Sequence, residues 1–304
     1  MSNRRKFLKQ SLIGGGALSL GLIPKDLFAS GELVKLTVLH TNDMHCHLEP
    51  FPETNAEYPG QGGIVRIASM VNQFRKENPN LLLLDAGDMF QGTPYFNYFK
   101  GDLIVKIMSK MGYDAGTIGN HEFDNGMGDI LSAINQASFP LVSSNYNFSD
   151  TILAGHVKTH VILKKDGIKI GIYGLGIELE GLVTQSNYGK TQYLNPLETA
   201  LKMEETLKKE HKCDLVVCLS HLGFSYKNDK ISDSSLAPQT KFTDLFVGGH
   251  THTFLKKPVE IKNLLGKPVV INQAGWAALE LGKIDFVFDH NRNLIGHLPV
   301  INNS

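Results

Sequence analysis

Five short segments concentrate the residues with chemistry to offer: Asn42-Asp43-Met44-His45, Gly87-Asp88, Gly119-Asn120-His121-Glu122, Ser220-His221 and Gly248-Gly249-His250-Thr251-His252. Asp43, His45, Asp88, Asn120, His221, His250 and His252 present only oxygen and nitrogen donors. Such donors suit Zn²⁺, Mn²⁺ or Fe. One carboxylate shared by two cations about 3.5–4 Å apart would make a hydrolytic centre. Singly the fragments are weak, since Asp-x-His also suits a helix cap beside a surface imidazole and Gly-Asp a plain turn. Two imidazoles two residues apart in a Gly-rich turn, His250 and His252, have no obvious packing use.

Position joins the fragments, because each follows an apolar run. Strands are predicted over Leu33–His40, Leu81–Asp85, Ala115–Ile118, Phe139–Ser143, Leu215–Leu219 and Asp244–Val247. Leu82 to Leu84 are apolar without alternation, the pattern of a strand covered on both faces. Helical spacing fits Ile64–Lys76, Tyr95–Met111, Met127–Gln136 and a stretch from Pro196 to His211. Lys165-Asp166-Gly167 closes a hairpin between His156–Leu163 and Ile168–Tyr173. Four more strands are expected at Pro258–Lys262, Pro268–Asn272, Leu281–Phe288 and Ile295–Val300. This order gives one α/β domain with two packed sheets and helices outside. Sites in open α/β sheets gather at the carboxyl ends of strands, so donors two hundred residues apart can converge. Gly87, Gly119, Gly248 and Gly249 let the backbone turn beside them.

Composition narrows the class. The 304 residues are 42% apolar and 20% charged, which suits a soluble globular protein and excludes wholesale disorder or a membrane bundle. Thirty basic residues balance thirty acidic ones, so no basic nucleic-acid surface is indicated. Three cysteines are too few for a disulfide framework, and Cys213 and Cys218 lie along one extended segment. At the N-terminus Arg4-Arg5-Lys6-Phe7-Leu8-Lys9 precedes an apolar stretch, Ser11 to Pro24, too short and Gly-rich to span a bilayer. It resembles a twin-arginine export signal, with residues 1–30 removed near Phe28–Gly31 and a periplasmic destination. No cysteine stands there for a lipid anchor. Without residues 1–30 the chain carries 25 basic and 29 acidic residues, a net −4 that two divalent cations would offset.

The ordered set Asp43-x-His45, Gly87-Asp88, Gly119-Asn120-His121-Glu122, His221 and Gly249-His250-Thr251-His252 resembles the metallophosphoesterase (calcineurin-like) signature. Asn120-His121-Glu122-Phe123-Asp124, with Thr41-Asn42-Asp43 and Gln91-Gly92-Thr93-Pro94, is similar to the catalytic domain of bacterial 5′-nucleotidases. The resemblance implies a four-layer αββα sandwich of two mixed sheets, with a dinuclear site at strand C-terminal ends. It implies Asp43, His45, Asp88 and His252 around one metal, and Asp88, Asn120, His221 and His250 around the other. Position 252 departs from the nucleotidases, many of which carry an amide there, and matches the wider superfamily.

The implied activity is hydrolysis of nucleoside 5′-phosphates by hydroxide generated between two divalent ions, with His121 as general acid. Asp124 would hold the other ring nitrogen of His121, or cap the helix before Met127, or both. Alternatives are a broad phosphoesterase or sulfur-compound hydrolase of the same superfamily, and a non-catalytic metal- or nucleotide-binding protein. The family's C-terminal domain supplies much of the nucleoside pocket, whereas this chain stops at Ser304. Residues 31–304 are therefore expected to form a catalytic domain, with specificity supplied by a separate exported chain docking over the metal face. Cys46 is read as filler, His40 and His47 as neighbours of the site, and His156, His160, His211, His290 and His297 as surface or strand positions. Trp276 is either a core or rim aromatic or a platform for a base.

Overall fold

A computed structural model of the protein describes Phe28 and residues 32–298. Nearly all of the export segment, and the end of the last predicted strand, lie outside the described residues. Fourteen strands are found among them. They are β1 Leu33–Thr41, β2 Leu81–Asp85, β3 Ala115–Thr117, β4 Leu141–Val142, β5 Tyr146–Asn147, β6 His160–Lys165 and β7 Ile168–Gly176. The chain continues through β8 Gln192–Tyr193, β9 Leu215–His221, β10 Leu245–Gly248, β11 Val259–Lys262, β12 Pro268–Asn272, β13 Gly282–Asp289 and β14 Leu294–Leu298. The α-helices are α1 Ile64–Glu77, α2 Pro94–Phe99, α3 Asp102–Met111, α4 Met127–Gln136, α5 Gln185–Tyr188, α6 Pro196–Glu205 and α7 Asp233–Leu236.

Two six-stranded sheets result, ordered β14-β13-β1-β2-β3-β4 and β11-β12-β10-β9-β7-β6. In the first, β1, β2, β3 and β4 run parallel out to the β4 edge, and β13 and β14 are antiparallel at the other edge. In the second, β7, β9, β10 and β12 run parallel between antiparallel edge strands β6 and β11. Period-two alternation explains the layers. Leu82 and Leu84 of β2 meet Leu215, Val217 and Leu219 of β9 in the core between the sheets. Leu81 and Leu83 face outward, beneath Ile64, Ile67 and Val71 of α1 and Val105 and Met108 of α3. Val216 and Cys218 point to the opposite face, under Ala200 and Met203 of α6. Both faces of these strands are dry, hence their continuous apolar runs. The architecture is the expected sandwich of two mixed sheets between helices.

Local differences have local causes. The helix expected over Tyr95–Met111 is two helices, broken at Lys100 (φ 54°) and Gly101. The break lets Gly101 press on the ring of Phe90, where any side chain would collide. The helix from Pro196 remains α-helical only to Glu205, and Thr206–Glu210 widens into a π turn that ends at His211. A short antiparallel ribbon of β5 and β8 went unpredicted, because two-residue strands carry no period to read.

Candidate metal centre

The sandwich brings β1, β2 and β3 side by side in one sheet and β9 and β10 in the other. All five donor segments stand at the C-terminal ends of these strands. Asp43 and His45 follow β1, Asp88 follows β2, Asn120 follows β3, His221 ends β9, and His250 and His252 follow β10. Two clusters form, Asp43–His45–His252 and Asp88–His221–His250. In the first, His252 Nε2 lies 3.1 Å from His45 Nε2 and 3.4 Å from Asp43 Oδ1. In the second, His221 Nε2 lies 2.9 Å from Asp88 Oδ2, while His250 Nδ1 meets Asn120 Oδ1 at 2.8 Å. His221 Nε2 is also 3.9 Å from Asp43 Oδ1, which joins the clusters.

The backbone is bent to achieve this. Asp43, His45, Asp88, His250 and His252 all have positive φ, between 47° and 74°. Each such residue costs about 1–3 kcal/mol and persists only where its surroundings enforce it. The enforcement is visible. Asp43 N, His45 N and Cys46 N donate to Gly87 O, Asp88 O and Met89 O, zipping the loop after β1 to the loop after β2. Asn42 Nδ2 donates to Asp43 Oδ2 (2.6 Å), and His250 N donates to both Asp43 oxygens at 3.0 Å. His121 N donates to Asp88 Oδ1 at 2.8 Å. Gly119 is required by space, since a Cβ there would strike Asp88 Oδ1 and lie 2.8 Å from Asp88 N.

Two ring tautomers are set from behind. His45 Nδ1 lies 3.1 Å from Phe90 O, and His221 Nδ1 lies 2.7 Å from Ala86 O. A donating Nδ1–H leaves the Nε2 lone pair free to face the cluster. Buried His221 Nε2 has no hydrogen-bond partner of good geometry despite its approach to Asp88. Two imidazole nitrogens 3.1 Å apart, an unpartnered third and two buried carboxylates fit divalent cations well.

Electrostatics point the same way. Burial opposes charge on His221, but Asp88 beside it, helped by Asp43, outweighs that and holds its pKa at about 10. Burial likewise opposes ionised Asp88, yet His221, with His45 and His121, draws it well below the usual carboxylate range. Asp88 thus carries its charge only with positive partners around it. Burial and the charge of His221 push His250 down to about 4.

His121 and Asp124 stand at the open edge, both about one-third exposed, with Nδ1 2.8 Å from Asp124 Oδ2. Burial lowers the His121 pKa, but the Asp124 hydrogen bond and the charge of Asp88 carry it up to about 9. The cap position of α4 is Gly126, and no side chain caps it, so Asp124 serves His121 instead.

Glu122 has a role that its sequence context alone does not reveal. Its buried carboxylate accepts from the backbone N–H groups of Asp88 (3.0 Å), Met89 (2.7 Å), Phe90 (3.2 Å) and Gly119 (2.6 Å). Its place beside His121 in the motif was the available signal. Gln273, just past β12, does similar service for the other sheet: Oε1 accepts from Thr253 N (2.7 Å) and Thr251 Oγ1 (3.0 Å), and Nε2 donates to Gly249 O. Cys46 packs in the outer core, its thiol pushed up to about 12 by burial. His40 is buried in β1 with Nε2 3.0 Å from Asn272 Nδ2, and His47 packs against Phe51 and Trp276.

Residues 36–254 match the calcineurin-like phosphoesterase family. The chain belongs to the calcineurin-like phosphoesterase family. Among its relatives, a snake venom 5′-nucleotidase of Gloydius brevicauda is 33% identical over 286 residues, covering 86% of this chain and 46% of the relative. The 5′-nucleotidase of Rattus norvegicus is 31% identical over 301 residues, covering 91% of this chain and 51% of its own. The crystal structure of a 5′-nucleotidase precursor from Thermus thermophilus superimposes with a TM-score of 0.80 at 32% identity, over 88% of this chain and 54% of that one. This phosphoesterase chain spans about half the length of these relatives. Family and geometry together give a dinuclear divalent-metal site.

Proposed function

We propose that this phosphoesterase is a metal-dependent phosphomonoesterase acting on nucleoside 5′-phosphates. The observation that carries the reading is the pair of facing donor clusters with the hydrogen-bonded His121–Asp124 pair at their edge. The relatives named 5′-nucleotidase support the substrate class. In this reading Asp43, His45, Asp88 and His252 hold one ion and Asp88, Asn120, His221 and His250 the other, with Asp88 shared. Zn²⁺, Mn²⁺ and Fe all suit these donors.

Bound there, two divalent ions would lower the pKa of water and neutralise phosphoryl oxygens. The chain's own residues do the rest. Asp43 and Asp88 are anchored before any substrate arrives, so little reorganisation remains for the reaction. His121, with Nδ1 donating to Asp124, keeps Nε2–H for the substrate and can protonate the departing 5′-oxygen. No arginine among the described residues shares in this: Arg66 donates to Ala278 O and Leu279 O, Arg75 to Met111 O and Gly112 O, and Arg292 lies near Asp214. The phosphate is therefore held by the metal centre and the imidazoles. The scarcity of arginine supports a companion chain over the metal face that supplies base recognition.

Export to the periplasm belongs to the proposal, supported by Arg4-Arg5 before the apolar Ser11–Pro24 stretch. No helix among the described residues is long and apolar enough to cross a membrane. The test is phosphate release by the metal-loaded chain from AMP, UMP and phenyl phosphate. Turnover of all three with little preference among bases is expected; no phosphate release from any of them would overturn the reading.

A further inference from the structure

Four imidazoles of the site have a ring nitrogen against an oxygen partner: His45 with Phe90 O, His121 with Asp124, His221 with Ala86 O and His250 with Asn120. His252 differs. Its Nδ1 meets no protein acceptor among the described residues, its side chain is 40% exposed, and its backbone sits at φ 51°. Yet its Nε2 points at His45 and Asp43. Besides the edge-on ring of His45 at 5.1 Å, its face is covered by Trp276, whose indole lies parallel to it at an interplanar angle of 4° and a centroid distance of 5.4 Å. The geometry is an offset stack of two π faces.

Trp276 is itself fixed. Phe51, Tyr58 and His47 pack edge-on against its ring, at centroid distances of 5.6, 6.5 and 5.5 Å. The next residue, Ala277, donates its N–H to Asp43 O at 2.8 Å, and Leu279 N closes a turn onto Trp276 O. The Trp276-Ala277 segment thus reaches two members of one donor cluster, Asp43 through the Ala277 backbone and His252 through the indole face.

We propose that Trp276 is a positioning residue for His252, replacing the hydrogen bond that orients the other imidazoles. This rests on the dinuclear reading above, but it concerns only the Asp43–His45–His252 position. The Asp88–His221–His250 position has its own supports and should be indifferent to Trp276. A platform for a substrate base is the competing role for this ring, but the face against His252 is already occupied.

Trp276 is the single tryptophan of the 304-residue chain, so tryptophan emission, excited beyond the absorption of the nine tyrosines, reports this stack alone. The experiment titrates metal-free protein with Mn²⁺ or Zn²⁺, reading emission and, by calorimetry, the affinity of each of two sites. In the unsubstituted protein, filling one site should change the emission and filling the other should leave it nearly unchanged. Trp276→Ala should weaken one site by roughly 10–100-fold, as loss of a ligand-orienting neighbour does, and spare the other. Trp276→Phe, which keeps a stacking ring, should recover most of the loss. His252→Ala, with the tryptophan in place, should abolish the emission change, a readout that does not depend on how Trp276→Ala folds. Unaltered affinity of both sites in Trp276→Ala, or an unchanged emission response in His252→Ala, would overturn the assignment. Two tight sites in no variant, the unsubstituted chain included, would instead overturn the dinuclear reading.

Discussion

His121 is the residue whose role separates chemistry from metal binding. Its backbone N–H holds Asp88 and its ring leans on Asp124, so it borders the metal centre without belonging to either donor cluster. Its replacement by Ala should keep metal content and slow AMP hydrolysis by about 10²–10⁴, the usual worth of a general acid. The loss should shrink for nitrophenyl phosphate, whose leaving group needs no proton; an equal loss on both substrates would contradict the role. Asp124 offers a pH test. It helps raise the His121 pKa to about 9, so the acid form persists below that and is lost as pH rises through it. Rate should therefore fall on the alkaline side, and Asp124→Asn should move that fall to lower pH because a raising partner is removed. A pH–rate profile of kcat for AMP decides it, and an unmoved limb would release Asp124 from the role. In the sequence Asp124 could also have capped the helix before Met127; Gly126 stands at that cap position instead.

At the level of elements, the loops after β2 and β3 are one unit, tied by Glu122 to four backbone N–H groups. Burial and the charge of Asp88 raise its pKa to about 7, while the N–H groups favour the ionised form. Hydrogen bonds to a charged group are worth about 1.5–3 kcal/mol each. Glu122→Gln turns an NH₂ toward donors, and should lower metal affinity by roughly 10–100-fold with a fall in melting temperature. Titration calorimetry and thermal unfolding check both, and an unaltered metal affinity would reduce Glu122 to packing. Long buried strands were legible in sequence: Leu81–Asp85 and Pro268–Asn272 are found with the predicted bounds, because uninterrupted apolar runs between turns leave few other readings. The positive φ of Asp43, Asp88 and His252 was not legible, since it comes from cross-loop hydrogen bonds between distant segments. The kink at Gly101 was hidden likewise, being set by the ring of Phe90 across the fold.

Across the whole molecule, the donors divide by sheet. Asp43, His45, Asp88 and Asn120 come from one, and His221, His250 and His252 from the other. Metal binding therefore staples the two halves of the sandwich at the end where loops, not apolar side chains, close the gap. An ion that binds only the folded state stabilises by about 2.7 kcal/mol at a hundredfold excess over its Kd. Chelation should lower the melting temperature, and calorimetry with and without Mn²⁺ would show it; equal melting would mean that the clusters bind no ion in solution. The convergence of five motifs was legible because topology places strand ends together, whereas the division of labour between sheets needed the strand order. In the proposed function, Asp88 joins two metals into one hydrolytic centre. Its most direct test is metal content per chain together with phosphate release from AMP, in the unsubstituted protein and in Asp88→Asn. Two divalent ions and turnover are expected in the first, lost on chelation and restored with metal, and fewer than two ions with no measurable turnover in the second. Full hydrolysis by metal-free protein, or two ions and undiminished turnover in Asp88→Asn, would contradict it.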